Sequence, residues 1–286
     1  MRKIQEDAWI MEHEALAQHT YRLRLESKKV AAVAKAGQFV MLRINDGLDP
    51  LLRRPFSFHR ILPEQGVVEI LYRVAGRGTW RLSQSSIGTR VNLVGPLGNA
   101  FNLPDDGSSP VVLIAGGIGV APLFALMDRL FANLSDLAIH LFYGARTAAE
   151  LLPEQVLEDF KLRIYWSTDD GTAGYLGRVT DLFNESMAEG LPRPSMVYSC
   201  GPLAMQYHVS KWASMHGVPA QLSLESFMAC GVGACLGCAL PAVRADDPAA
   251  DHYVHVCKDG PIFSPGSIQW QKIQMHRAPP QIFLFS

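Results

Sequence analysis

No stretch of this chain approaches the roughly eighteen consecutive apolar residues of a membrane-spanning helix, and Met1-Arg-Lys-Ile-Gln-Glu-Asp lacks the apolar core of a secretory signal. These absences predict no membrane span and a cytoplasmic location. Charge of one sign is missing too: 26 Lys+Arg face 27 Asp+Glu, for a net −1, so nothing marks a surface for nucleic acid or anionic lipid. There is no internal repeat and no low-complexity tract. Cysteine is scarce, and four of the five fall in one short pattern, which argues against a secreted disulfide scaffold. What is present is a 286-residue chain, 48% hydrophobic, long enough for two or three packed domains.

The cysteine pattern carries the most information. Cys230-Gly-Val-Gly-Ala-Cys235-Leu-Gly-Cys238 is followed by Cys257, giving C-x₄-C-x₂-C-x₁₈-C. Three thiolates on one loop and a fourth from a later strand can surround a metal centre, and the x₄/x₂ order is that of plant-type [2Fe–2S] ferredoxins. Structural zinc also takes four cysteines, usually as two C-x₂-C knuckles, of which this chain has one. Iron–sulfur is favoured over zinc. Gly231, Gly233 and Gly237 allow a tight loop whose N–H groups can face sulfur.

The chain divides by pattern. Short strands at Trp9–Met11, Tyr21–Leu25, Phe39–Ile44, Phe56–His59, Val67–Val74 and Val91–Val94, with one helical stretch near Thr79–Ser85, predict a small antiparallel β-barrel over residues 1–103. Pro104–Pro110 reads as a linker. Over 110–220, strands at Val111–Ala115, Leu137–Tyr143, Leu162–Ser167 and Met196–Ser199 alternate with helices at Val120–Ala132, Pro153–Phe160, Val179–Glu189 and Leu203–Met215. That alternation predicts an α/β domain with a parallel sheet. After Pro219 the helices stop, and 221–270 form the cysteine module, a small β unit. Residues 271–286 are a tail of unassigned role.

Two strand ends look chemical. Ala115-Gly116-Gly117-Ile-Gly119-Val-Ala-Pro122-Leu123 is a glycine turn opening a helix, suited to a pyrophosphate. It departs from G-x-G-x-x-G at Pro122, which a first helical turn tolerates. Tyr198-Ser-Cys200-Gly201-Pro202 lies at the same sheet edge; Cys200 by itself reads equally well as a buried small residue. In the barrel, Arg53-Arg54-Pro55-Phe56-Ser57-Phe58 and Leu71-Tyr72-Arg73-Val-Ala-Gly-Arg-Gly78-Thr79 place arginines and a glycine-led helix start where a phosphate could bind.

Together and in this order, these motifs resemble the ferredoxin reductase family of flavoproteins. Arg54–Ser57, Leu71–Arg73 and Gly78-Thr79 look like its flavin site, and Gly116–Pro122 with Cys200–Pro202 looks like its nicotinamide-nucleotide site. The Cys230–Cys257 module, with Leu224-Glu-Ser-Phe-Met-Ala-Cys and Cys257-Lys-Asp-Gly-Pro-Ile-Phe263, is similar to the electron-transfer subunits of class 1B dihydroorotate dehydrogenase. The resemblance implies FAD held by Arg54, Pro55, Phe56, Ser57, Leu71, Tyr72, Arg73, Gly78 and Thr79, with Ser57 near the flavin N5. It implies NAD(H) as substrate on Gly116, Gly117, Gly119, Pro122, Cys200, Gly201 and Pro202, with Cys200 near the nicotinamide. It implies a [2Fe–2S] cluster on Cys230, Cys235, Cys238 and Cys257, and no acid–base pair. The partner would be an FMN-containing dihydroorotate dehydrogenase catalytic subunit, assembled as a heterotetramer for pyrimidine biosynthesis. Alternatives are an NAD(P)H-dependent ferredoxin or sulfide oxidoreductase or hydrogenase diaphorase subunit of the same family, or a zinc-stabilised binding module without enzymatic activity. Arg146 keeps NADP open.

Overall fold

A computed structural model describes residues 3–273, apart from 46, 106, 135, 245, 248 and 249. Of the tail set apart at 271–286, residues 274–286 lie outside the described residues; Trp270–Lys272 form one 3₁₀ turn.

The first six strands close into an antiparallel barrel. They are β1 (Ile4–Ala17), β2 (Thr20–Glu26), β3 (Phe39–Arg43), β4 (Arg54–Leu62), β5 (Val67–Arg73) and β6 (Arg90–Leu97), ordered β1-β2-β5-β4-β3-β6. Two short helices connect them, α1 (Lys28–Ala31) and α2 (Arg77–Ser83). Leu23, Leu25, Phe58, Ile70 and Leu93 fill the interior. β1 is far longer than Trp9–Met11. It is rich in acidic residues (Glu6, Asp7, Glu12 and Glu14), so only Ala8 and Ile10 supply the buried apolar alternation that reveals a strand.

The second unit is a seven-stranded sheet. Its elements run β7 (Val111–Gly116), α3 (Ala121–Asn133), β8 (Ile139–Ala145), β9 (Leu162–Thr168), β10 (Tyr175–Leu176), α4 (Val179–Ala188), β11 (Met196–Cys200), α5 (Leu203–His216) and β12 (Ala220–Ser223). The cysteine segment follows with β13 (Ala239–Ala242), β14 (His252–His255), α6 (Val256–Asp259) and β15 (Ile262–Phe263). The sheet order is β10-β9-β8-β7-β11-β12-β15, parallel except for β15, while β13 and β14 form a separate hairpin. The cysteine segment thus lends a strand to the nucleotide sheet, and the expected boundary at 220/221 falls inside β12.

Two expectations are corrected. Pro153–Phe160 is no α-helix: only Glu154–Leu157 turn, as 3₁₀. The bonds Val156 N–H to Pro153 O and Phe160 N–H to Leu157 O each span three residues, a tightening that lets Leu157 and Phe160 both reach the core. Helices also do not stop at Pro219. Cys257 sits on α6, one helical turn rather than a strand, closed by His255 N–H donating to the Asp259 carboxylate at 2.7 Å.

Barrel and sheet are locked together. Arg60 of β4 grips Asp128 of α3 through Nε (3.0 Å) and Nη2 (2.8 Å), and the buried His59 ring lies 4.2 Å from that of Phe124. No helix among the described residues is long and apolar enough to cross a membrane.

Candidate functional site

The glycine turn does what its sequence requires. β7 ends at Gly116, Gly117–Val120 wind as a 3₁₀ turn, and α3 begins with Pro122 in its first turn, where its missing N–H costs nothing. Gly117 holds φ +54°, a left-handed conformation, and a side chain there would meet nothing within 4 Å, so the turn faces open space. The neighbouring β11 runs parallel to β7, pairing Cys200 with Ala115. That register delivers Cys200-Gly201-Pro202 against the turn, with Gly201 packed on Gly116. The two segments expected to share a nucleotide are therefore adjacent at one sheet edge. The Cys200 thiol is buried; burial first, then the Glu225 carboxylate, pushes it well above the ordinary thiol range.

In the barrel, the arginines of the tandem separate. Arg53 donates to the Asn92 carbonyl (2.8 Å) and Asn92 Oδ1 (2.6 Å), tying the segment that enters β4 to β6. Arg54 instead lays its guanidinium over Gly78, where a Cβ would stand 2.7 Å from Nε, and donates to the Leu52 carbonyl. Arg54 and Gly78 thus meet, as a shared phosphate requires. Thr79 is different: its hydroxyl accepts from Ala75 N–H (2.9 Å) and Gly76 N–H (3.2 Å) and donates to the Gly76 carbonyl (3.0 Å). That hydroxyl builds the turn.

Along β4, Phe56 and Phe58 are buried in the barrel, whereas Pro55 and Ser57 stay partly open. On β5, Leu71 packs towards α3 and Tyr72 into the barrel. Tyr72 hydroxyl bonds His13 Nε2 at 2.8 Å, and His13 Nδ1 reaches the Ser85 carbonyl at 2.9 Å. A carbonyl only accepts, so Nδ1 carries a hydrogen. Stacking of Tyr72 on Tyr21 at 5.7 Å completes a rigid aromatic wall. A cavity of about 340 Å³ opens beside α2, lined by Ile44, Asn45, Trp80, Arg81, Gln84 and Ser85.

The cysteine loop resembles a site prepared for thiolates. Cys230 Sγ accepts from the N–H groups of Val232 (3.4 Å), Ala234 (3.3 Å) and Cys235 (3.4 Å). Burial alone would raise its pKa; these donors outweigh it and hold Cys230 at about 6. The Cys238 thiol lies 3.2 Å from Cys257 Sγ, and burial first, then Cys238, pushes Cys257 up to about 12. Among the described residues no three Cys, His, Asp or Glu groups gather for a single ion. Cys238 and Cys257 therefore stand as a thiol pair, and Cys230 is bonded to the backbone of the loop that carries Cys235.

The loop is also placed. Gly231, at φ +70°, presses on Met41 of β3, where a Cβ would stand 2.3 Å from Met41 Cγ. Met41 pairs across the ladder with Pro55 of the flavin-like motif. On the other side, Asn99 after β6 donates to Asp259 and Ile262 carbonyls (3.1 and 2.9 Å) and accepts from Ile262 N–H (2.9 Å).

Sequence reasoning missed one feature of the site. Arg73 reaches across to Glu150, just beyond β8, with Nη2–Oε1 at 2.6 Å and Nη1–Oε2 at 3.2 Å. The partners are 77 residues apart, and no local signal connects them.

Residues 225–269 match the family model described as the iron–sulfur cluster binding domain of dihydroorotate dehydrogenase B, and 113–211 match the oxidoreductase NAD-binding domain. The electron transfer subunit of dihydroorotate dehydrogenase B (NAD(+)) from Desulforamulus reducens is 37% identical over 265 residues, covering 93% of this chain and 98% of the relative. The chain belongs to this family of electron transfer subunits. The subunit of the same description from Geobacillus thermodenitrificans is also 37% identical, covering 91% and 96% of the two chains. Among solved structures, the NADH-dependent reduced ferredoxin-NADP oxidoreductase is similar with a TM-score of 0.77 and 26% identity, over 92% of this chain and 90% of that one. The ferredoxin reductase of carbazole 1,9a-dioxygenase shares the fold, with a TM-score of 0.65 over 76% of this chain and 67% of that one at 23% identity.

Proposed function

We propose that this chain is the cytoplasmic electron-transfer subunit that connects NAD to dihydroorotate oxidation in pyrimidine biosynthesis, working with a separate FMN-containing catalytic subunit in a heterotetramer. The single observation that carries the relay is the position of β4. The cysteine loop seats on Met41, the cross-strand partner of Pro55, and the helix opened by the glycine turn packs its Phe124 on His59 of the same strand. These contacts support a path in which Arg54–Ser57 lie between the cysteine loop and the glycine turn.

Residues take their roles from this placement. Arg54, over Gly78, holds the FAD pyrophosphate, with the backbone of Gly78-Thr79 completing the cradle. Pro55 and Ser57, the open positions of β4, border the flavin, Phe56, Leu71, Tyr72 and Arg73 support them from behind, and the cavity beside Trp80 offers an aromatic face to the adenine. Gly116, Gly117, Gly119 and Pro122 receive the dinucleotide, with Cys200, Gly201 and Pro202 closing its nicotinamide end. Cys230, Cys235, Cys238 and Cys257 hold the [2Fe–2S] cluster. FAD, when bound, exchanges a hydride with nicotinamide and single electrons with the cluster. The protein's part is to orient and insulate: the His13–Tyr72–Tyr21 wall keeps the flavin strand rigid, and the buried neutral Cys200 excludes water without reacting.

The test is reconstitution. The isolated chain should oxidise NADH with an artificial acceptor yet leave dihydroorotate untouched, since that carbon acid needs a flavin with its own substrate pocket and base, which this reading assigns to the partner subunit. Adding an FMN-containing dihydroorotate dehydrogenase subunit should create NAD-dependent dihydroorotate oxidation. Turnover of dihydroorotate by the isolated chain would refute the division of labour. Coupling only to a ferredoxin or sulfur-metabolising partner would move the chain to the function of its structural relative.

A further inference from the structure

Arg146 stands where a dinucleotide's adenosine ribose is expected, and its charge is already spoken for. β7 and β8 are parallel neighbours with Gly116 in register with Gly144. Arg146 follows two residues beyond Gly144, on the strand beside the glycine turn and at the same carboxyl edge. In open α/β sheets that position meets the ribose of the nucleotide bound on the turn; a carboxylate there suits a 2′-hydroxyl and an arginine suits a 2′-phosphate. Here both are present, and they hold each other. Arg146, 67% exposed, gives Nε to the two oxygens of Glu150 at 3.0 and 3.2 Å, and Nη2 to Oε1.

Glu150 cannot yield. Its side chain is only 8% exposed and is gripped from the barrel by both Nη groups of Arg73. The turn that carries it is pinned by backbone as well, with Gln18 N–H donating to the Ala149 carbonyl at 2.9 Å. Asp169 adds to the effect. Asp169 N–H donates to Ala145 O (3.1 Å) and Asp170 N–H to Arg146 O (3.2 Å), so the end of β9 lies along Arg146 and brings a second acidic residue to it.

We propose that Glu150 is the residue that makes this site select NAD over NADP: it holds the Arg146 guanidinium from the protein side and so withholds it from a ribose 2′-phosphate. The proposal rests on the reading of Gly116–Pro122 as the dinucleotide turn. A 2′-phosphate would have to displace Glu150 to pair with the Arg146 guanidinium, whereas an uncharged 2′-hydroxyl needs no such partner.

The experiment titrates the flavin- and cluster-loaded chain with 5′-ADP and with 2′,5′-ADP by calorimetry, alongside NADH and NADPH oxidation with a dye. Wild type should favour 5′-ADP and NADH. Glu150→Gln frees Arg146 from an ionic partner, and the affinity ratio should move at least about tenfold towards 2′,5′-ADP, with the NADPH/NADH ratio following. Adding Arg146→Ala to that variant should cancel the shift. An unchanged ratio in Glu150→Gln, or a shift that survives Arg146→Ala, overturns the proposal. Should Glu150→Gln lose its flavin, Asp169→Asn is the second arm; it should move the ratio in the same direction by less, and no movement there overturns the proposal equally. Binding of neither ADP by wild type would instead overturn the dinucleotide reading itself, and this inference with it.

Discussion

Gly119 and Cys200 are in backbone contact: a Cβ on Gly119 would stand 2.2 Å from the Cys200 carbonyl oxygen and 2.7 Å from Gly201 N. Neither obstacle is a flexible side chain, so Gly119→Ala must push the glycine turn away from the β11 end. Overpacking of this kind costs on the order of 1–3 kcal/mol. The variant should keep its flavin, whose proposed site lies on the barrel, and lose about tenfold or more in NADH oxidation. Wild-type NADH kinetics would show that the two segments do not share a nucleotide.

Cys200 should be chemically silent. Its thiol is 1% exposed, and burial together with Glu225 keeps it protonated far above neutral pH. Treatment with iodoacetamide at about pH 8 should leave Cys200 unmodified in the folded protein and modify it after unfolding, as read by peptide mass spectrometry. Labelling at the rate of a free cysteine would show that β11 opens its end to solvent.

The motifs were legible because each chemistry restricts residue types at fixed spacing. A thiolate loop needs glycines between its cysteines, and a pyrophosphate turn needs glycines before a helix. The barrel and the parallel sheet followed from period-two runs and from their alternation with helices. What stayed hidden is long-range. Arg73 meets Glu150, His13 meets Tyr72 and Gly231 meets Met41 through folding alone. β15 is two residues long and becomes a sheet edge only because Asn99 and β12 hold it. Pro153–Phe160 carries a helix-like apolar spacing, which core packing satisfied with a 3₁₀ turn instead.

The bridge at Glu150 gives the fold a dependence on acid. Burial would raise this carboxyl, but hydrogen bonds from Arg146 and Arg73 outweigh it and hold the group below its ordinary 4.5. A depressed folded-state pKa contributes stability above about pH 4.5, and that contribution is lost as pH falls through the folded value. Wild-type melting temperature should therefore drop as pH goes below about 4.5, and Glu150→Gln should flatten this part of the decline. Parallel melting curves for the two proteins down to pH 3 would show that the bridge contributes nothing.

The four thiolates make a compositional prediction. If Cys230, Cys235, Cys238 and Cys257 hold one [2Fe–2S] cluster, iron and acid-labile sulfide should each approach about two per chain. Cys235, exposed at the loop, should be removable without unfolding, so Cys235→Ser should bleach the cluster absorption while NADH–dye activity largely survives. Anaerobically prepared protein holding stoichiometric zinc and no sulfide would sink this assignment.

Arg54 and Gly78 form one device, and two substitutions should disable it in the same way. Arg54→Ala removes a charge-assisted phosphate contact of about 1.5–3 kcal/mol, and with it roughly ten- to a hundredfold in flavin affinity. Arg54→Lys should fall between, since an ammonium keeps the charge but loses the planar fork. Gly78→Ala leaves the arginine in place yet sets a methyl 2.7 Å from its Nε. A guanidinium is the far end of a flexible chain, so it should swing off the turn rather than unfold it, and affinity should fall towards that of Arg54→Ala. The double variant should then be scarcely weaker than either single one, because both remove one interaction. Flavin titration of the apoprotein reads all four. Additive losses would mean that Gly78 acts through the backbone alone, and full flavin retention in Arg54→Ala would place the pyrophosphate elsewhere.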